Sequence, residues 1–298
     1  STLPELASHV ATGADWLRGL PGQTIAAIHL AMLPEGTDDP AVLAKAQQWL
    51  GEGMLIGSRM GNTVDGDPHS CLLSHLHIGA DGFERLLVLA SPQTTEGRGG
   101  RISQRVLELE TYRLMALRGL PVAKQLSGVL AQAESQLADI TARLEGQQGG
   151  DQALLDDLVA LAARVERATA EHGYRFSATR AYDAVVRERI AELRERPLHG
   201  TQTVGEFMQR RLSPAMATVE ATAKRLTALS ERVARTSALL RTRVDIATEA
   251  QNQQLLEKLT RGQDLQLRLQ STVEGLSIAA ISYYVVSLLL YAAKALKL

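Results

Sequence analysis

Two hydrophobic periodicities divide this chain near residue 100. Before that point, short apolar runs alternate with breakers. Residues 24–33 (TIAAIHLAML), 54–56, 71–78 and 83–89 have the length and composition of strands, and Ala80-Asp81-Gly82 supplies a hairpin turn between the last two. Residues 41–50 (AVLAKAQQWL) carry helical spacing, and the breaker-rich PQTTEGRGG at 92–100 closes the segment as a flexible loop. Beyond it strand signals stop. Three helical regions follow, at 101–145, 152–196 and 213 to the end, separated by Gly-Gln-Gln-Gly-Gly at 146–150 and Pro197-Leu198-His199-Gly200. The expected fold is α+β: an N-terminal α/β layer at 1–100, a long helical hairpin at 101–212, a heptad-patterned stalk helix at 213–270 and a transmembrane helix at 271–298.

The third helical region carries the strongest pattern. Ser213 followed by Pro214 reads as its N-terminus, because serine caps free amides and proline fits the first helical position. Met216, Val219, Ala223, Leu226, Ser230, Val233, Ser237, Leu240, Val244 and Ala247 then step by three and four residues. That is a heptad seam, and such a seam needs a partner helix. Two partners fit: the two preceding helices in an antiparallel bundle, or other copies in a homo-oligomeric stalk. Within the seam, Val219, Leu226, Val233, Leu240 and Val244 are the diagnostic positions. Gln251 and Gln254 turn the same register polar, and Gly262 and Gly275 are points where the helix could be interrupted. Some eighty residues of unbroken helix would extend about 120 Å at 1.5 Å per residue.

Residues 275–293 (GLSIAAISYYVVSLLLYAA) contain no formal charge and have the length that crosses a hydrocarbon core as a helix. Gln270, Ser277, Ala280, Tyr284, Ser287 and Tyr291 share one helical face there. A polar and small stripe of this kind reads as a helix-packing surface, with a water-lined path as the alternative. Lys258, Arg261 and Arg268 precede the apolar run and Lys294 and Lys297 end it, so flanking charge sets no orientation.

Composition removes several classes. A net charge of −1 over 298 residues offers no basic face, and no nucleic-acid partner is expected. One cysteine, Cys71, excludes an intrachain disulfide. The opening STLPELASHVATGADWL has neither a basic n-region nor an apolar core, which predicts a cytoplasmic soluble part. His69, Cys71, His75 and His77 share one strand parity and suit zinc chemically. Ligands on one flat strand rarely close a tetrahedron, however, and no second Cys/His group follows, so partly exposed sheet residues are the simpler reading. Asp65 and Asp67 around Gly66 read as a turn, since the remaining calcium ligands are missing. No nucleophile elbow, phosphate-binding loop, zinc-protease helix or dinucleotide fingerprint is present, so no catalytic residue, metal or cofactor is expected. Glu110, Tyr112 and Arg113 read as an ion pair or cap beside the core, and Tyr174, Arg175, Arg180 and Tyr182 as a polar helix–helix contact.

ADWLRGLPGQTIAAIHLAMLP, ADGFERLLVL, LETYRLMALRGLPVA, YRFSATRAYDAVVRERIAELRE, TVGEFMQRRLSPAMATVEATAKRL and LLRTRVDIATEAQNQQLLEKLTRGQDLQLRLQSTVEGLSIAAISYYVV resemble, over nearly the whole chain, a bacterial family known only as uncharacterised membrane-anchored proteins of unknown function. The resemblance implies further soluble sequence before position 1 and a second membrane helix after position 298. The order of elements is also similar to CorA-type magnesium channels, pentamers with a cytoplasmic funnel. Their Gly-Met-Asn signature is missing, because this chain reads Tyr291-Ala292-Ala293-Lys294 at the matching place. The resulting expectation is an oligomeric, membrane-anchored stalk or scaffold in the bacterial inner membrane, with the lipid bilayer and further copies as partners. The alternative is a CorA-like channel of altered selectivity.

Overall fold

The structure is a computed structural model that describes residues 16, 19–34, 40–51, 53–61, 69–92, 94–146 and 150–295. The chain separates into two compact units, one of Ser1–Asp139 with Ala160–Val233 and one of Ile140–Val159 with Ala234–Leu298.

The first unit is built on a five-stranded sheet in the order β1-β4-β3-β2-β5. Its elements are β1 (Ile28–Leu33), α1 (Pro40–Leu50), β2 (Ile56–Met60), β3 (Ser70–Ile78), β4 (Glu84–Ala90), α2 (Glu96–Leu117), most of α3 (Gly119–Glu145) and of α4 (Asp151–Leu193), β5 (Arg196–Pro197) and the start of α5 (Val204–Ala295). β1 lies parallel to β4 and the other neighbours pair antiparallel. Strand alternation sends two sets of side chains to opposite faces. Leu72, Leu86 and Val88 pack with Ile102, Val106 and Leu109 of α2 and with Val204, Met208 and Leu212 of α5, while Cys71, Leu73, Leu87 and Leu89 pack with Ala46, Trp49 and Leu50 of α1. Both faces are therefore covered by helices, and each fully buried leucine contributes about 1.5–3 kcal/mol of transfer free energy. The expected hairpin between β3 and β4 forms: the Phe83 N–H donates to Asp81 Oδ1 (3.1 Å), and Gly82 takes φ +82°.

Besides β1, which starts at Ile28 rather than residue 24, and β2, which is Ile56–Met60 rather than 54–56, three boundaries differ from the sequence expectation. The region expected as one helix over 101–145 divides at Arg118, because Pro121 has no N–H for the Leu117 carbonyl and the chain must restart its ladder. Gly119 is required at this joint, where an added Cβ would run into the Thr179 side chain of α4. Gly97, Gly99 and Gly100, expected in a loop, lie in the first turn of α2, and Gly99 brings α2 close to Met32 of β1.

The third difference is the start of α5. It begins at Val204, and Pro214 lies inside it. The Thr203 N–H donates to Glu206 Oε2 and the Glu206 N–H to Thr203 Oγ1, both at 3.1 Å, a reciprocal capping box. The next free amides are also paired: Val204 N–H donates to Ser58 Oγ (2.9 Å), and Gly205 N–H donates to Glu195 Oε1 (2.8 Å). Ser58 in turn donates to Glu195 Oε2 at 2.8 Å, so a carboxylate from the α4–β5 connection sits on the positive end of the helix. Any side chain at position 205 would displace that carboxylate.

The second unit contains the α3–α4 turn and the remainder of α5. Ile140, Leu154, Leu158 and Leu240 are buried in it. Arg143 pairs with Asp157 (3.3 Å), and Arg243 pairs with Asp151 (3.2 Å) and donates to the Leu144 carbonyl (2.9 Å). From Asp245 to Leu290, α5 is exposed, with Ser287 half-buried.

Candidate functional site

The heptad seam is consumed inside the chain. Val219, Leu226 and Val233 are buried within the first unit, and Leu240 is buried and Val244 half-buried within the second. In the first unit Arg225 fixes the pairing, donating to both oxygens of Glu134 on α3 (3.2 and 2.8 Å) and to Ser127 Oγ (3.2 Å). Of the two partners the seam allowed, the bundle with preceding helices is the one observed for Val219, Leu226, Val233 and Leu240, while Val244 is half-buried and Ala247 exposed.

The exposed remainder of α5 is the largest uncovered apolar stretch among the described residues. Its most apolar window has a mean hydropathy of 1.8 and none of it is buried. Leu276, Ile278, Ile281, Val285, Leu288, Leu289 and Leu290 each expose more than half of their surface. Of the stripe expected to pack or to line a path, Gln270, Ser277 and Tyr284 are exposed and Ser287 is half-buried, while the Tyr291 side chain lies outside the described residues. Gln270 donates to Glu274 one turn on (3.1 Å), and Tyr283 and Tyr284 meet edge to face at 6.0 Å. In water so large an uncovered apolar surface is unfavourable, and among the described residues no core covers it.

A second feature is a buried charge cluster that joins the sheet to α2. Glu84, the first residue of β4, and Glu110 are 1% and 0% exposed. Arg113 lies between them, donating through Nε to Glu110 Oε2 (2.6 Å) and through Nη2 to Glu84 Oε2 (3.3 Å) and Glu110 Oε1. One guanidinium neutralises one carboxylate. Burial, then a hydrogen bond with Glu110 and its charge, push the Glu84 carboxyl up to about 9, which favours its protonated form at neutral pH. No cleft opens onto this cluster among the described pockets, and its neighbours Tyr112 and Tyr182 stack at 5.8 Å. It is an ion-pair clamp beside the core; of the helix–helix contact expected from Tyr174, Arg175, Arg180 and Tyr182, only Tyr182 packs, on Tyr112, and the other three are exposed. Tyr174 is exposed and lines, with Arg118 and Arg175, a shallow cleft of about 300 Å³.

The histidine cluster does not converge. The register shift between Ser74 and Ile78, with Leu76 at φ +46°, breaks the parity that would align its members. Both ring nitrogens of His75 face backbone carbonyls, Met54 O and Gly51 O, at 2.9 Å. His69 pairs with Ser70 Oγ (2.9 Å), and burial, with Arg98 and Arg105 nearby, holds its pKa below the usual histidine value. Cys71 is buried and His77 exposed. Among the described residues no three His, Cys, Asp or Glu side chains are grouped to hold a metal ion. The Asp65–Asp67 turn lies outside the described residues.

Sequence reasoning missed the cap of α5, although Thr203-Val204-Gly205-Glu206 is a capping-box string followed by buried Val204, Met208 and Leu212 at i, i+4 and i+8. No curated protein and no solved structure matches this chain. A family match instead covers residues 3–298, the sheet, the bundle and the exposed apolar helix together, and the chain belongs to that family, the proteins of unknown function DUF3422.

Proposed function

We propose that this chain is a membrane-anchored scaffold, fixed in the bacterial inner membrane by the end of α5 with the sheet-bearing unit on the cytoplasmic side. The observation that carries the proposal is the continuity of α5, whose N-terminus is locked into the sheet-bearing unit and whose last part is uncharged and wholly uncovered. Residues 275–293 hold eight Leu, Ile and Val residues and no charge. At roughly −0.3 to −0.6 kcal/mol for each such residue at a helix centre, these eight alone favour insertion by a few kcal/mol. Burial in a bilayer satisfies this surface without a further protein core, and the α-helix meets the hydrogen-bond requirement of hydrocarbon internally.

The test is alkaline carbonate extraction of membranes carrying the full chain, beside a variant with Ile281→Arg and Val285→Arg. The unsubstituted chain should stay in the membrane pellet and the double variant should shift to the supernatant. Release of both by carbonate would overturn the anchor. Sidedness is read with Cys71→Ser and Tyr174→Cys combined, because Tyr174 is exposed: an impermeant maleimide should label inverted vesicles and not intact spheroplasts.

A further inference from the structure

We infer that residues 255–276 of α5 pair in parallel with the same segment of a second copy of this chain. The inference rests on the anchoring reading for its direction, since two copies inserted in one bilayer by the same helix run the same way.

A second heptad seam begins where the first ends. Leu255, Leu259, Gly262, Gln266, Leu269, Val273 and Leu276 step by four and three residues in strict alternation. They lie one position out of phase with the buried seam, which would continue through Gln251, Gln254, Lys258 and Arg261. All the leucines and the valine of this second seam are more than half exposed, as are Leu256 and Leu265 beside it. Charge is sorted around it: Glu257, Arg261, Asp264, Arg268 and Glu274 fall at the heptad positions away from the seam, and Lys258 alone flanks it. Leu267, also exposed, falls on the outer face with the charges, so the sorting holds for the seam and its flanks rather than for every leucine.

The occupant follows from three observations. The seven apolar side chains expose roughly 100 Å² each, so their burial approaches the ~800 Å² per partner of a standard specific interface. The flanking positions Leu256, Gln263, Leu265, Gln270 and Thr272 are uncharged, so an identical helix brings no like charges together there. A differently charged partner would find no complementary row. The seam also continues without a phase break through Ala280, Tyr283 and Ser287, of which Ala280 and Ser287 are small residues of the kind that let helices approach in lipid. Gln266, at a core position, is the polar residue that would fix register between copies.

Oxidative cross-linking in membranes tests this, with the full chain carrying Cys71→Ser and one new cysteine at a time. Leu259→Cys, Leu269→Cys and Val273→Cys should each form a disulfide-linked species of twice the chain mass, and Asp264→Cys, on the outer face, should form at least tenfold less. In mild detergent the unsubstituted chain should have the mass of a dimer, and Leu259→Glu with Leu269→Glu should reduce the dimer fraction at least tenfold with unchanged circular dichroism. Equal cross-linking at position 264, a monomer mass, or an adduct with a different protein would overturn the pairing. Carbonate release of a chain that still cross-links at 259, 269 and 273 would overturn the anchor and leave the pairing standing.

Discussion

Replacing Glu84 with Gln should abolish most of the loss of stability that the first unit suffers as pH rises toward 9. Glu84 is 1% exposed and shares a buried site with Glu110 and one guanidinium, and its carboxyl titrates near 9 in the folded protein against 4.5 as a free side chain. A folded pKa above the unfolded one means that the native state holds a proton the unfolded chain has released. Its stabilisation is complete below the unfolded value and is lost as pH climbs through the folded value. Across pH 5–8.5 the slope attributable to Glu84 is one proton, about 1.4 kcal/mol per pH unit, and the total over that window is on the order of 5 kcal/mol. Glutamine has the shape of the protonated carboxyl, can hydrogen-bond with Glu110, and cannot ionise. The assay is urea unfolding of the full chain in mild detergent, followed by the emission of Trp49, which is buried against the same sheet. Between pH 6 and 8.5 the unsubstituted protein should lose about one proton's worth of slope relative to Glu84→Gln, the two being similar near pH 5. Parallel stability curves across that range would refute a protonated, buried Glu84.

Arg113→Met should be the most damaging change at the same cluster, destabilising by about 3–5 kcal/mol because it leaves a buried carboxylate without a cation; an equilibrium unfolding midpoint close to that of the unsubstituted protein would count against the clamp. Thr203→Ala removes the acceptor of the Glu206 amide and should cost about 1 kcal/mol, measured by the same unfolding curve, whereas Ser213→Ala, at the position expected from sequence to be a cap, should cost under ~0.5 kcal/mol. Leu240→Asp should destabilise the second unit by more than about 4 kcal/mol and Val244→Asp by less than about 1 kcal/mol, since only the first is fully buried; hydrogen exchange of residues 150–158 reads the difference.

The sheet and the helix content were legible because each rests on local periodicity. The hairpin at Ala80-Asp81-Gly82 and the strands on either side of it follow from alternation and turn chemistry, and the three long helical regions from their 3.6 spacing. What escaped was non-local. β5 is only Arg196–Pro197, held by pairing with Arg59 and Ser58 across 137 or more residues of chain, and nothing nearby in sequence announces it. The ion-pair clamp was visible as Glu110 and Arg113 on one helical turn, but its third member, Glu84, comes from a strand, and its proton exists only because the fold buries two carboxyls together. The parity that the histidines share in sequence does not carry through the strand, because the irregularity at Leu76 puts His77 out of step with the residues before it.

The two seams of α5 show why a helix this long cannot be read with one register. A heptad seam lasts only as long as its partner. Inside the chain that partner is the α3–α4 hairpin, which turns between Glu145 and Asp151, and the last tight contacts to it are Leu240 and the Arg243 bonds to Asp151 and Leu144. Past its end, a helix must either shed its apolar stripe or find another surface to cover it. α5 sheds its stripe and then rebuilds it, uncovered, in another phase. Residues 248–254 read TEAQNQQ, a polar collar, and the leucines then return one position later, displacing the apolar face by about 100° around the axis. A stripe that merely decayed toward the membrane would fade in place. One that reappears in a new phase, with Lys258 the one charge on its flanks, is the pattern that the proposed pairing of two copies requires.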